Sequence, residues 1–306
     1  MKNRQQGVAL ITAVLIVALV TTIAVAMASR QQLDIRRSAN VFDGDQTWLV
    51  VLGGEDYARN VLVEDGKNSS DDTLDENWAQ PVQFPFEQMM LSGQVEDMQG
   101  RFNLNNLLDG SGNVDPLALL RFERLLRLFD LDTAIAQAVV DWLDKDIDSK
   151  PNGGAEDDYY MQLQPGYRAA NRLMVSASEL RLVNGVTAEA YEKLAPYIVA
   201  LPGSTEININ TASAAVLATM ADNLTLADGE SLLAARDKSG FGTIAAFTQQ
   251  DVIKVAAIGD VGLSLKSDYF LLNAMAEFDN SRSQQFSLLW RQNGIVKVIM
   301  RGQGAY

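Results

Sequence analysis

Seven acids, Asp141, Asp144, Asp146, Asp148, Glu156, Asp157 and Asp158, crowd one short stretch that holds only two bases, Lys145 and Lys150. Asp144, Asp146 and Asp148 alternate, and Asn152-Gly153-Gly154 supplies a tight turn before Glu156. Alternate carboxylates in a turn, closed by a later acid, can wrap a hard cation in side-chain and carbonyl oxygens, which suits calcium. The spacing is not that of an EF-hand loop. A bare charge run is otherwise a solvated loop, but Trp142, Tyr159 and Tyr160 flank this one and point to a packed segment. The expected ligands are Asp144, Asp146, Asp148, Glu156 and Asp157, with Asp141 and Asp158 as lesser members, and the expected role of calcium is structural.

Little other chemistry is available. The 306 residues contain no Cys and no His. That removes disulfides, thiol nucleophiles, Ser-His-Asp and Cys-His catalysis and the usual transition-metal ligands. Paired carboxylates can hydrolyse glycosides, but these acids single out no specific pair, so an enzyme reading has no site to stand on. A net charge of −14 disfavours phosphate backbones.

The elements that position the acids begin with Val8 to Ala28, an apolar run without charge, Pro or Gly. At ~1.5 Å per residue it makes a helix of about 31 Å, enough to cross a bilayer core. Only Met1 to Gly7 precede it, basic, polar and ending in Gly. A signal peptide cut after Ala28 and an uncleaved signal anchor are the alternatives. Signal h-regions run only ~7–15 residues, and this one is longer.

Helical spacing continues from Leu33 to Val63, with Gly44 and Gly53-Gly54 as soft points. A polar loop, Glu64 to Gln80, leads to a strand or hairpin over Gly93 to Asn105. A long helical block follows, with Asp115-Pro116 as cap and first turn of one helix. Further helices are expected over Thr133–Leu143, Ser176–Val183, Ala188–Tyr197, Ala212–Met220 and Asp228–Arg236. Phe102-Asn103-Leu104-Asn105 is echoed by Ile207-Asn208-Ile209-Asn210, which suggests two related helical modules or two independent Asn caps. Strands return over Tyr269–Phe278, at Phe286, Leu288 and Trp290, and at Val296, Val298 and Met300. Asn293-Gly294 marks a hairpin. Strands on both sides of a helical block give an α+β domain with an insertion.

This order resembles the type II secretion system minor pseudopilin K, of the general secretion pathway protein K family, over the whole chain. The stretches that carry the resemblance are Asp141 to Tyr160, Tyr167 to Gly185 and, less specifically, Ile207 to Leu217. It implies a pilin-like long N-terminal helix packed on an antiparallel sheet. It also implies a large all-α insertion of two small SAM-like or helix-hairpin-helix-like subdomains. The expected divisions are a leader at 1–7, a membrane helix at 8–29, pseudopilin helix and first strands at 30–105, the insertion at 106–266 (106–203 and 204–266), and completing strands at 267–306.

The resemblance further implies cleavage after Gly7 by prepilin peptidase, with Val8 the new, N-methylated terminus. Family relatives also bind calcium in the helical region. Thr12 stands fifth from Val8, where pilin-like proteins carry a Glu thought to pair with the subunit ahead; a carboxylate at bilayer depth is costly unless paired. A subunit with nobody ahead needs none, which fits the tip. The implied function is the tip subunit that starts or caps the periplasmic pseudopilus in protein export. It would be anchored singly in the inner membrane of a Gram-negative bacterium with its bulk in the periplasm. The implied partners are the I- and J-type minor pseudopilins and the inner-membrane secretion platform. Two other classes compete: a membrane-bound helix-hairpin-helix DNA-binding protein, suggested by the Ile207 stretch, and a secreted hydrolase. Asp222 and Asp228, without a neighbouring base, argue against the first.

Overall fold

The computed structural model describes residues 5–237, 239–254, 260–279 and 281–304. Its spine is α1 (Gln5–Asn68), an unbroken helix of 64 residues. The apolar stretch from Val8 is exposed and touches nothing else in the chain, whereas from Thr47 onward one face is buried. The helix runs straight through the two expected soft points. At Gly54 an added Cβ would stand 3.2 Å from Leu91, so the glycine lets helix and sheet approach closely.

The sheet is built from β1 (Val82–Phe86), β2 (Met89–Asp97), β7 (Tyr269–Phe278), β8 (Ser281–Gln292) and β9 (Ile295–Gln303), all antiparallel and in that order. Val51, Ala58 and Leu62 of α1 pack on Leu91, Val95, Phe270, Leu272, Ala274 and Leu289. Asn293 and Gly294 turn β8 into β9 at φ of 52° and 75°, as their types predict.

The first hairpin lies earlier than expected, at β1 and β2, with Glu87 at φ 55° in its turn. The sheet lets go at Asp97. Phe102 and Leu104 belong to the core of the helical block, Phe102 in a two-residue strand there and Leu104 at the start of a 3-10 turn. The boundary placed between 105 and 106 therefore falls near Asp97. Gly100 makes the exit possible: a Cβ there would meet Thr211 at 2.8–2.9 Å.

The two faces of β8 also divide unexpectedly. Phe286 and Leu288 face away from α1, toward Met98, Val199 and Leu201. Under α1 lie Gln285, Ser287 and Arg291, all buried. Glu55 answers the first two, accepting from Gln285 Nε2 at 2.7 Å and Ser287 Oγ at 2.6 Å, and pairs with Arg301 at 2.7 Å. Burial pushes the Glu55 carboxyl up, but these partners outweigh it and hold the group below its ordinary range.

The helical block comprises β3 (Phe102–Asn103), α2 (Pro116–Leu128), α3 (Ala134–Leu143), α4 (Asp157–Tyr160), α5 (Ala188–Leu194) and β4 (Ile198–Val199). After these come β5 (Ile207–Asn208), α6 (Ala214–Ala218), α7 (Leu226–Ala235), α8 (Ile244–Thr248), α9 (Asp251–Lys254) and β6 (Leu263–Ser264). The expected helix over Ser176–Val183 is a short 3-10 turn, Ala177–Leu182, opened by a Ser176–Glu179 capping box.

The internal echo has a counterpart in the fold, where two modules begin and end alike. Each module enters on a two-residue strand and leaves on a parallel one: β3 with β4, β5 with β6. In each, the first Asn accepts from the backbone N–H of the second, Asn103 from Asn105 and Asn208 from Asn210. The second Asn then clamps a distant strand of chain through both N–H and C=O. Asn105 does so at Met174, and Asn210 at Phe241. One continuous apolar core runs through both modules.

Two chain crossings join this block to the sheet, and a buried polar knot fixes them. Asp97 accepts from Gln99 N–H, Asn208 Nδ2, Ser267 Oγ and Thr211 Oγ1. Beside it Arg291 reaches Asp72, only 1% exposed, and Asp65. The Arg291 guanidinium lies 4.7 Å over the Phe270 ring.

Candidate metal site and assembly helix

The acidic loop hangs from the end of α3 and returns at α4. Asp141, fully buried on α3, accepts from Lys150 N–H with both oxygens, at 3.2 and 3.0 Å. That bond closes the loop. The turn needs its glycines: a Cβ on Gly154 would sit 2.3 Å from Asp141 Oδ2, and Gly153 has φ of 116°.

Closure brings Asp144, Asp146 and Glu156 together, with one oxygen from each within 4.8 Å of the others. Asp144 is 5% exposed and Glu156 3%. Lys150 Nζ bonds Asp144 Oδ2 at 2.7 Å and Asp146 Oδ2 at 3.3 Å. Asp144 Oδ1, both Glu156 oxygens and Asn171 Oδ1 remain buried with no hydrogen-bond partner. Four acceptors turned inward without a donor are costly in a folded chain. They are also the hard oxygen set a calcium ion takes. Burial, then the charges of Asp141, Asp144, Asp146 and Asp157, push Glu156 up to about 7.

Asp148 and Asp157 stand outside the group. The Asp148 N–H closes a turn onto Asp146 Oδ1, which leaves its own side chain in solvent. Asp157 opens α4 and is taken by Ala169 N–H, at 3.0 Å. Asp158 is exposed. Asn171, outside the expected ligands, brings a further buried, unpartnered oxygen to this loop. Its Nδ2 donates to the Asp146 carbonyl and its backbone sits at φ 47°, a conformation Asn tolerates better than most residues.

At the other end, Gly7 and Val8 lie within α1, with open space around Gly7. Thr12 Oγ1 donates to the carbonyls of Val8 and Ala9, at 3.1 and 3.0 Å. Its polarity is satisfied inside its own helix and asks for no partner. Among the described residues α1 is the one helix long and apolar enough to cross a membrane.

The glycine of the α6–α7 hairpin serves packing. A Cβ on Gly229 would fall 2.1 Å from the Ala214 carbonyl. Asp222 in the same hairpin is engaged by Arg124 at 2.9 Å.

Family models described as "Type II secretion system (T2SS), protein K" match residues 100–203 and 207–266. The first begins close to where the sheet ends. The chain is 37% identical to type II secretion system protein K of Pseudomonas aeruginosa, over 99% of this chain and 94% of the relative. Identity to the Aeromonas hydrophila protein is 35%, over 98% and 97%. Among solved structures it resembles a chain of the GspK-GspI-GspJ complex from the enterotoxigenic Escherichia coli type 2 secretion system. There the TM-score is 0.79 and identity 26%, over 88% of this chain and all of that one. With a long apolar helix leading an interrupted sheet, a helical insertion of two modules and relatives matched over nearly their whole length, the chain belongs to the type II secretion system protein K family.

Proposed function

We propose that this protein is the tip subunit of the pseudopilus: a minor pseudopilin that starts or caps the filament and makes or breaks no bond itself. One observation carries the reading. The 64-residue α1 is bare over its apolar half and packed into a rigid head over the other. A bare apolar helix in a bilayer associates through close packing with neighbouring helices. Cleavage by prepilin peptidase between Gly7 and Val8, followed by methylation of Val8, would free it to do so. Its partners are then the I- and J-type minor pseudopilins, as in the complex of the relative, and the inner-membrane platform. The head lies in the periplasm of a Gram-negative cell. Thr12, content within its own helix, suits a subunit with none ahead of it.

Calcium has a structural place in this account. Asp144, Asp146, Glu156 and Asn171 would hold it, and Lys150 would yield its contacts to it. The ion would neutralise the carboxylates and fix the loop between α3 and α4.

Excision of the insertion tests the capping role. β2 and β7 are antiparallel neighbours in register at Asp97 and Phe270, so residues 99–268 can be replaced by an Asn-Gly turn. The excised chain should insert in the membrane but leave filament number and length unregulated. Unchanged filaments would show that the insertion is not a cap.

A further inference from the structure

We propose that the cleft between α1 and the loop preceding β1 binds an extended segment of another protein, one carrying an apolar residue and, two positions on, an arginine or lysine. The cleft has two unlike ends. Toward Gly54 it closes into an apolar cavity of about 70 Å³, floored by Ala58, Leu91 and Leu272. Toward Asn68 it opens into a groove of about 930 Å³ lined by Glu64, Asp65, Asp75 and Glu76. Tyr57, Val61, Trp78 and Val82 line both, so the two are one continuous cleft.

The acidic end is short of positive charge. Oxygens of Asp65, Asp72 and Glu76 lie within 4.8 Å of one another. Arg291 pairs with Asp65 and Asp72. Glu76 takes only neutral donors, Thr73 N–H and Trp78 Nε1, both at 2.9 Å. Burial, then the charge of Glu76, push the Asp65 carboxyl up to about 6 even with Arg291 beside it, so the three acids share one cation. On the rim, Lys67 engages Glu64, and Asp75 is exposed.

The geometry sets the ligand. Ala58 and Asp65 are separated by roughly 10 Å along the helix axis. Residues two apart in a strand share a face and stand about 6.7 Å apart, and a long basic side chain spans the rest. A small polyamine would meet the acids but leave the apolar cavity empty. A protein segment fills both, and the cleft borders the free edge strand β1.

Calorimetric titration of the full mature chain in lipid nanodiscs tests this with three probes: acetyl-Leu-Ser-Arg-amide, acetyl-Leu-Ser-Glu-amide and acetyl-Ser-Ser-Arg-amide. The first should bind at least about tenfold more tightly than the other two. Glu76→Gln keeps an acceptor for Thr73 and Trp78, and it should weaken that binding about fivefold without lowering the melting midpoint. Asp75→Asn on the rim should act in the same direction without touching the folded network. Equal binding of the three peptides would overturn the proposal. So would displacement of the first peptide by an equal concentration of spermidine.

Discussion

Replacing Glu156 by Gln should have opposite effects with and without calcium. In chelator the native carboxylate is a burden: the group titrates at about 7 in the fold, against 4.5 for the free side chain. The folded state then binds this proton more tightly than the unfolded chain. Stability contributed at this position is therefore greatest at low pH and is lost as pH rises from about 4.5 through about 7. At pH 8 the burden is on the order of 1–3 kcal/mol. Glu156→Gln removes it and should raise the melting midpoint by a few degrees, at roughly 2–4 °C per kcal/mol for a chain of this size. With calcium at a hundredfold excess over Kd, the native protein gains about 2.7 kcal/mol and the variant, short of one ligand charge, gains much less. The two melting curves should change order. Scanning calorimetry of the mature protein at pH 8, with calcium and then with chelator, reads both. Equal destabilisation of the variant in the two conditions would make Glu156 an ordinary packed residue with no part in calcium binding.

Three further outcomes follow from the packing. Asp97→Ala strips the knot that joins sheet and insertion, leaving the donors of Asn208, Ser267 and Thr211 without their acceptor; a loss of about 3 kcal/mol is expected in denaturant melts. Asn105→Ala and Asn210→Ala should cost similar amounts, about 2–4 kcal/mol each, since each removes a two-way clamp from an equivalent place in the two modules. Gly154→Ala should abolish the calcium-induced rise in midpoint, because its methyl group occupies the space of the Asp141 carboxylate that closes the loop.

The sequence made the outline of this molecule readable where one physical rule dominates. Length and apolarity specify the membrane half of α1, the Asn293-Gly294 pair dictates its hairpin, and Asp115-Pro116 marks the start of α2, where the Asp side chain does cap Leu117 and Ala118. What stayed hidden depended on contacts far apart in the chain. Alternation in β8 showed two faces but not which one α1 covers; a buried Gln285, Ser287 and Arg291 make sense only beside Glu55, Asp65 and Asp72. The two-residue strands β3 to β6 are too short to leave a pattern of period two. In the acidic loop, composition singled out the acids, of which the fold brings Asp144, Asp146 and Glu156 together. The backbone turn at Asp148 and the helix starting at Asp157 point those two acids elsewhere. Asn171 lay in a stretch already singled out, Tyr167 to Gly185, yet nothing local tied it to the acids. Its positive φ and its bond to the Asp146 carbonyl appear only in three dimensions.

Whether α1 is the processed assembly helix proposed above is read from the intact mass of the protein extracted from membranes. The expected mass is that of a chain beginning at Val8 and carrying one added methyl group. A chain beginning after Ala28, or one retaining Met1 to Gly7, would contradict it.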